Sequence, residues 1–87
     1  LTKSLAAEWA GYNINVNSIS PGYTLTPLLE RALKRKPQYA DLWKLLIPMG
    51  RFARPWDIVG AVIFLASNAS DYVTGHNLIV DGGYTIW

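Results

Sequence analysis

The spacing of apolar residues changes along the chain, and each change marks an element. Leu1, Leu5 and Trp9 recur every four residues among alanines, with Lys3 and Glu8 elsewhere on the wheel, which predicts a helix with one apolar face. Gly11 is expected to end it as a left-handed cap. Ile14 to Ser20 predicts a short strand with Ile14 and Val16 on one face, although Asn15 and Asn17 make it more polar than a central strand usually is. Thr26-Pro27 is a helix start, since Thr caps free amides and Pro suits the first turn, with Glu30 near the positive end of the dipole. That helix should stop by Lys36, before Pro37. Tyr39, Leu42, Trp43, Leu46 and Ile47 then follow helical spacing until Pro48. Two short helices joined by a proline predict a movable lobe over residues 27–48. Pro55 opens a further helix whose stripe of Ile58, Ala61, Val62, Leu65 and Ala66 is widened by Val59 and Ile63, so burial on more than one side is expected. After the turn-rich stretch Ser67 to Gly75, Asn77 to Val80 predicts a second strand, whose apolar run Leu78-Ile79-Val80 suits cover on both faces. It closes at Asp81-Gly82-Gly83, where two glycines permit backbone angles closed to other residues. The chain has no internal repeat and no low-complexity tract.

Composition narrows the picture. Eighty-seven residues make at most one domain, and a core of that size is expected to be incomplete. Four Trp and five Tyr argue against disorder, and a net charge of +2 argues for no particular partner. Without cysteine there is neither a disulfide nor a thiolate metal site, and a reducing, cytoplasmic setting fits. The only imidazole, His76, has no partner at ligand spacing, so no metal site is expected. The longest apolar run, Ile58 to Ala66, contains Gly60 and is about half the roughly 20 residues a membrane span needs, so no membrane partner is expected. The chain starts without Met, inside a helix already under way, and carries no signal-peptide pattern, which reads as a piece of a longer protein.

Candidate chemistry centres on Pro21-Gly22-Tyr23-Thr24-Leu25-Thr26. A loop leaving the carboxyl end of a strand and offering two hydroxyls before a helix is where an open α/β sheet binds ligands. Gly22 would let backbone approach a flat ring, and Thr24 and Thr26 could supply hydrogen bonds. An ordinary strand-to-helix turn, with Thr26 only a cap, is the competing reading. Arg31, Lys34, Arg35 and Lys36 read as a solvated helix face rather than a nucleic-acid site, because no stacking aromatics interleave with them. Asp57, in the first turn of its helix, and Asp81, opening a glycine turn, read as structural acids. Trp43, Leu46 and Met49 could line a substrate pocket, with core packing as the default. Trp9 and Trp56 could anchor partner surfaces, and Trp87 is expected to pack on another subunit or into a pocket mouth.

Three blocks occur in order: Asn17-Ser18-Ile19-Ser20-Pro21-Gly22 with Thr26 after it; Pro48-Met49-Gly50-Arg51, then Pro55-Trp56-Asp57-Ile58 and Phe64-Leu65-Ala66-Ser67; and Tyr72-Val73-Thr74-Gly75 leading to Val80-Asp81-Gly82-Gly83. This series resembles the carboxyl-terminal third of the short-chain dehydrogenase/reductase family across nearly the whole chain. The loop Ser20 to Pro27 and the ending Gly83 to Trp87 look most like its fungal polyol and ketose members, such as arabinitol or mannitol dehydrogenases and sorbose reductases. The resemblance implies an α/β fold: the C-terminal part of a Rossmann-type doubly wound parallel sheet, with its last two strands and flanking helices. Residues 1–87 would be one piece of a single NAD(P)-binding domain. It also implies NAD or NADP held by Pro21, Gly22, Tyr23, Thr24 and Thr26, with Thr24 standing where the family often has Val or Ile. Residues 27–48, with Leu28, Leu29 and Trp43, would form a lobe over a small-molecule alcohol or ketone, a polyol or ketose by preference. The helix Pro55 to Ser67 and the last strand would build a homotetramer or homodimer. The family's glycine-rich turn and its catalytic Ser, Tyr and Lys lie upstream, so none of the residues here is expected to be catalytic, and the chain alone should be inactive. The alternative is a non-catalytic assembly module that binds no nucleotide.

Overall fold

The computed structural model describes residues 1–86, so the expectation for Trp87 lies outside the described residues. Four helices and two strands follow in the order α1 (Thr2–Trp9), β1 (Ser18–Pro21), α2 (Pro27–Arg35), α3 (Pro37–Leu46), α4 (Pro55–Ala66) and β2 (Asn77–Val80), with single 3₁₀ turns at Ala10–Tyr12, Asn68–Ser70 and Tyr84–Ile86. The strands pair in parallel, Ser18 with Asn77 through Pro21 with Val80, and α2 to α4 form the crossover that parallel pairing demands.

Two expectations need correction. The left-handed residue after α1 is Asn13 (φ 62°), not Gly11, because α1 tightens into a 3₁₀ turn before the chain reverses and Asn tolerates that conformation. The first strand is also shorter than Ile14 to Ser20. Residues 14–17 run beside the 71–76 turn but bond to it largely through side chains. Asn15 Nδ2 donates to the Asp71 carbonyl (3.0 Å) and Asn17 Nδ2 to the Val73 carbonyl (2.9 Å). Asn17 Oδ1 accepts from the His76 amide (3.1 Å), and Thr74 Oγ1 accepts from the Val16 amide (3.0 Å). The polarity that made this stretch a poor strand is therefore a clamp that sets the register of β2 on β1.

On the sheet, Val62, Leu65 and Ala66 of α4 border one cleft with Ile19. The opposite face, with Ser18, Ser20, Asn77 and Ile79, is uncovered among the described residues, and Ile79 is 50% exposed. On α4 itself Val59, Ile63 and Phe64 are exposed. The cover on two sides expected for α4 and β2 is thus absent among the described residues, where only Ala6, Ile47, Phe52 and Ser70 are buried. A radius of gyration of 16.1 Å, against about 12 Å for a compact domain of this length, agrees with an open arrangement.

Thr26 caps α2, its hydroxyl oxygen accepting from the Leu29 amide at 3.3 Å, and Lys34 and Arg35 occupy the last turn, where cations are favoured. At the start of α4 the Asp57 carboxylate accepts from the Arg54 amide (2.8 Å) and from both Nη atoms of Arg51 (2.8 and 3.3 Å). The Arg51 guanidinium, and then the Arg54 amide, hold the Asp57 pKa down to about 2. A carboxylate held below its ordinary value of about 3.9 stabilises the fold fully above that value, and the contribution disappears as pH falls toward 2. The urea stability gap between wild type and Asp57→Asn is therefore expected to be flat from pH 5 to 7 and to close between about pH 4 and 2. A gap that widened on acidification would contradict this role for the carboxylate.

Candidate functional site

The loop after β1 and the turn after β2 leave neighbouring parallel strands at their carboxyl ends, and they touch. The Gly22 amide donates to the Val80 carbonyl at 2.9 Å, extending the ladder by one residue. A Cβ on Gly22 would lie 2.8 Å from both Cα and Cβ of Asp81. Glycine is required here by the chain's own backbone, a reason separate from approach to a flat ring. Next, the Ala53 amide donates to the Tyr23 carbonyl (2.9 Å) and the Leu25 amide to the Ala53 carbonyl (2.7 Å), a short parallel bridge centred on Thr24. In such a bridge the central residue's own amide and carbonyl face away from the partner. Among the described residues no hydrogen bond uses the Thr24 amide or carbonyl, while its hydroxyl donates to the Gly22 carbonyl at 3.1 Å. As a cap, Thr26 uses a lone pair and keeps its hydroxyl proton for another acceptor.

The second turn is built as tightly. Gly82 and Gly83 have φ of +64° and +94°, and a Cβ on either would come within 2.9 Å of Ile47 Cγ2 or Pro48 Cγ respectively. The Met49 amide donates to the Gly82 carbonyl at 3.0 Å, so the end of α3 is seated on this turn. Asp81 Oδ1 accepts from the Gly83 amide (2.9 Å), and Oδ2 accepts from the Thr85 hydroxyl (2.7 Å) and amide (3.0 Å). The Thr85 hydroxyl, foremost among these donors, holds the Asp81 carboxyl below the usual range. With both oxygens engaged, Asp81 shapes the turn, as its sequence position suggested.

A cavity of about 500 Å³, within the range of small-molecule sites, opens between the two segments. Pro21, Gly22 and Tyr23 line it together with Ser20, Tyr84 and Thr85. Thr24 and Thr26 do not, nor do Leu28, Leu29 and Trp43. Leu28 is 78% exposed on α2, Leu29 is half-buried, and Trp43 stacks on Tyr23, their ring centroids 5.3 Å apart and the ring planes nearly parallel. Tyr84 meets Tyr23 edge-on at 5.5 Å, and its phenol pushes the Tyr23 pKa above the ordinary tyrosine value. Leu46 and Met49 are too exposed for the core-packing default. The roles of Tyr84 and Thr85 were missed in the sequence. The available signal was the Asp-Gly-Gly turn itself, since residues just past two adjacent parallel strands must meet.

Arg31, Lys34, Arg35 and Lys36 are exposed on α2 and its exit, as a solvated face should be. His76 is exposed, and among the described residues no group of three His, Cys, Asp or Glu could hold a metal. No described helix is long and apolar enough to cross a membrane.

The family described as enoyl-(acyl carrier protein) reductase matches residues 1–85. A D-arabinitol 2-dehydrogenase (ribulose-forming) of Scheffersomyces stipitis is 52% identical over all of the chain, which covers 32% of that relative. An NAD-dependent glycerol dehydrogenase of Listeria innocua is 50% identical over 99% of the chain and 33% of its own length. Among solved structures, one assigned as a 2-deoxy-D-gluconate 3-dehydrogenase from Agrobacterium tumefaciens, with bound NADP, superposes with a TM-score of 0.91 at 46% identity, over 99% of this chain and 35% of that one. The chain thus spans about a third of the length of the curated relatives it matches.

Proposed function

The chain belongs to the short-chain dehydrogenase/reductase family and has the mixed helix and parallel-strand build of its Rossmann-type sheet, and from that premise we propose that it serves an NAD(P)-dependent oxidoreductase. The proposed reaction interconverts a secondary alcohol and a ketone, with a polyol and its ketose as the substrate pair. The observation that carries this reading is the contact of the Gly22 loop with the Asp81 turn at the carboxyl ends of adjacent parallel strands, beside the 500 Å³ cavity.

The groups present suit a nicotinamide end. Thr24 offers an amide donor and a carbonyl acceptor with no intramolecular bond, the pair that a carboxamide complements. The Thr26 hydroxyl proton is left for a carboxamide or pyrophosphate oxygen, at the positive end of α2. When bound, the dinucleotide supplies or accepts the hydride. The role of these residues is to hold and orient its ring, with Pro21, Gly22 and Tyr23 forming the wall beside it. The α2–α3 lobe, residues 27–48 with Leu28, Leu29 and Trp43, covers the substrate end. Proton exchange falls to residues outside this segment, the upstream part to which the family resemblance assigns the catalytic Ser, Tyr and Lys. The exposed face of α4, with Trp56, Val59 and Ile63, and strand β2 provide an assembly surface for a homodimer or homotetramer. A cysteine-free sequence suits a reducing compartment, and the cytoplasm is the proposed location.

Calorimetry with NADH and NADPH on the full-length protein tests the reading. At least one coenzyme is expected to bind, and Thr26→Ala to weaken it by up to about tenfold, the worth of one hydroxyl hydrogen bond, with Thr26→Ser close to wild type. Failure of both coenzymes to bind would favour the assembly-module reading instead.

A further inference from the structure

The lobe made by α2 and α3 is held to the rest of the molecule at few points. The two helices pack chiefly on each other. One end of the lobe is fixed by the Thr24–Ala53 bridge before α2, and the other by Ile47, which is buried, and Met49 on the Gly82 turn. Between these ends the ring contact from the lobe to the loop after β1 is Trp43, lying flat on Tyr23 and backed by Tyr39 at 6.1 Å, with Lys44 over Phe52 at 5.7 Å as a lesser tie. Tyr23 is the fixed partner: Ala53 holds its carbonyl, and Phe52 and Tyr84 meet its ring edge-on at 6.3 and 5.5 Å.

We propose that the Tyr23–Trp43 stack is an aromatic latch that sets the position of the α2–α3 lobe over the loop following β1, which makes both rings positioning residues for the substrate side of the site. Tyr23 is 38% exposed and Trp43 half-buried, so the stack can open to water without breaking a core. An offset aromatic pair biases such an equilibrium by about 2- to 10-fold beyond its area burial, enough to favour the closed arrangement while leaving the open one populated. The kinetic part of this inference rests on the dehydrogenase reading; the structural part does not.

Hydrogen exchange on the full-length protein tests the latch directly. In Trp43→Leu, which keeps apolar bulk and removes the ring, amides of residues 27–46 are expected to exchange about 2- to 10-fold faster, with α4 and β2 unchanged. Trp43→Phe should restore most of the protection. The KM for a polyol should rise by a similar factor in Trp43→Leu, with a smaller change in kcat. Unchanged exchange over 27–46, or faster exchange everywhere, would overturn the latch. Local loosening in a protein that binds no coenzyme would uphold it while removing the dehydrogenase reading.

Discussion

Gly83→Ala is expected to cost the full-length protein about 3 kcal/mol of stability, enough to remove a large share of the margin of an ordinary domain. Two separate penalties combine. At φ +94° an alanine sits outside the conformations that L residues accept, at about 1 to 3 kcal/mol. Its Cβ would also lie 2.9 and 3.1 Å from the Cγ and Cβ of Pro48, a ring that has no rotamer into which to retreat, and overpacking of this kind costs about 1 to 3 kcal/mol. Since Pro48 follows the end of α3, the displaced turn would also unseat the lobe. Gly11→Ala is the control, because nothing lies within 4 Å of the added carbon and its φ is not positive. That substitution should be neutral or stabilise by up to about 1 kcal/mol. Denaturant midpoints of the two variants decide the matter: equal midpoints would show that the turn yields freely.

Gly22→Ala is expected to lose coenzyme affinity by more than about tenfold and to cost about 1 to 3 kcal/mol of stability. The added carbon would meet Asp81 Cα and Cβ at 2.8 Å, and since a Cβ is fixed in place by its own backbone, no rotamer change on either side relieves the contact. The relief available is to part the two strand exits. That breaks the Gly22 to Val80 hydrogen bond and shifts Thr24 and Thr26 relative to the cavity. Affinity should therefore fall further than in Thr26→Ala, which removes one bond and leaves the loop in place. Calorimetry beside a melting curve separates the two effects. A variant that melts like wild type and binds coenzyme equally well would show that the strand exits are not in rigid contact.

The two glycine sites also show where reading residues one by one stops. The sequence marks Gly22 as special and supplies a plausible motive, room for a flat ligand. The structure supplies another, the carbons of Asp81, which lies 59 positions later in the chain. The same separation explains the asparagines. Asn15 and Asn17 lower the strand propensity of their segment, and local preference is all a short window contains. Their hydrogen bonds run to Asp71, Val73 and His76, which only parallel pairing brings within reach. Gly11 misled for a related reason: glycine is the usual left-handed residue, but α1 winds on through a 3₁₀ turn and Asn13 takes the reversal. Helix starts at Thr26-Pro27 and Pro55, and the stops before Pro37 and Pro48, were legible because capping and proline geometry act within one turn.

Sequence by itself determined the element order, the helix boundaries set by proline and the family, because each depends on residue type at short spacing. Tertiary structure decided that the Gly22 loop and the Asp81 turn close on one cavity, that Trp43 lies on Tyr23, and that one face of the sheet and of α4 is open among the described residues. These are contacts between segments 20 to 60 residues apart, and their geometry follows from the parallel crossover, not from any local preference.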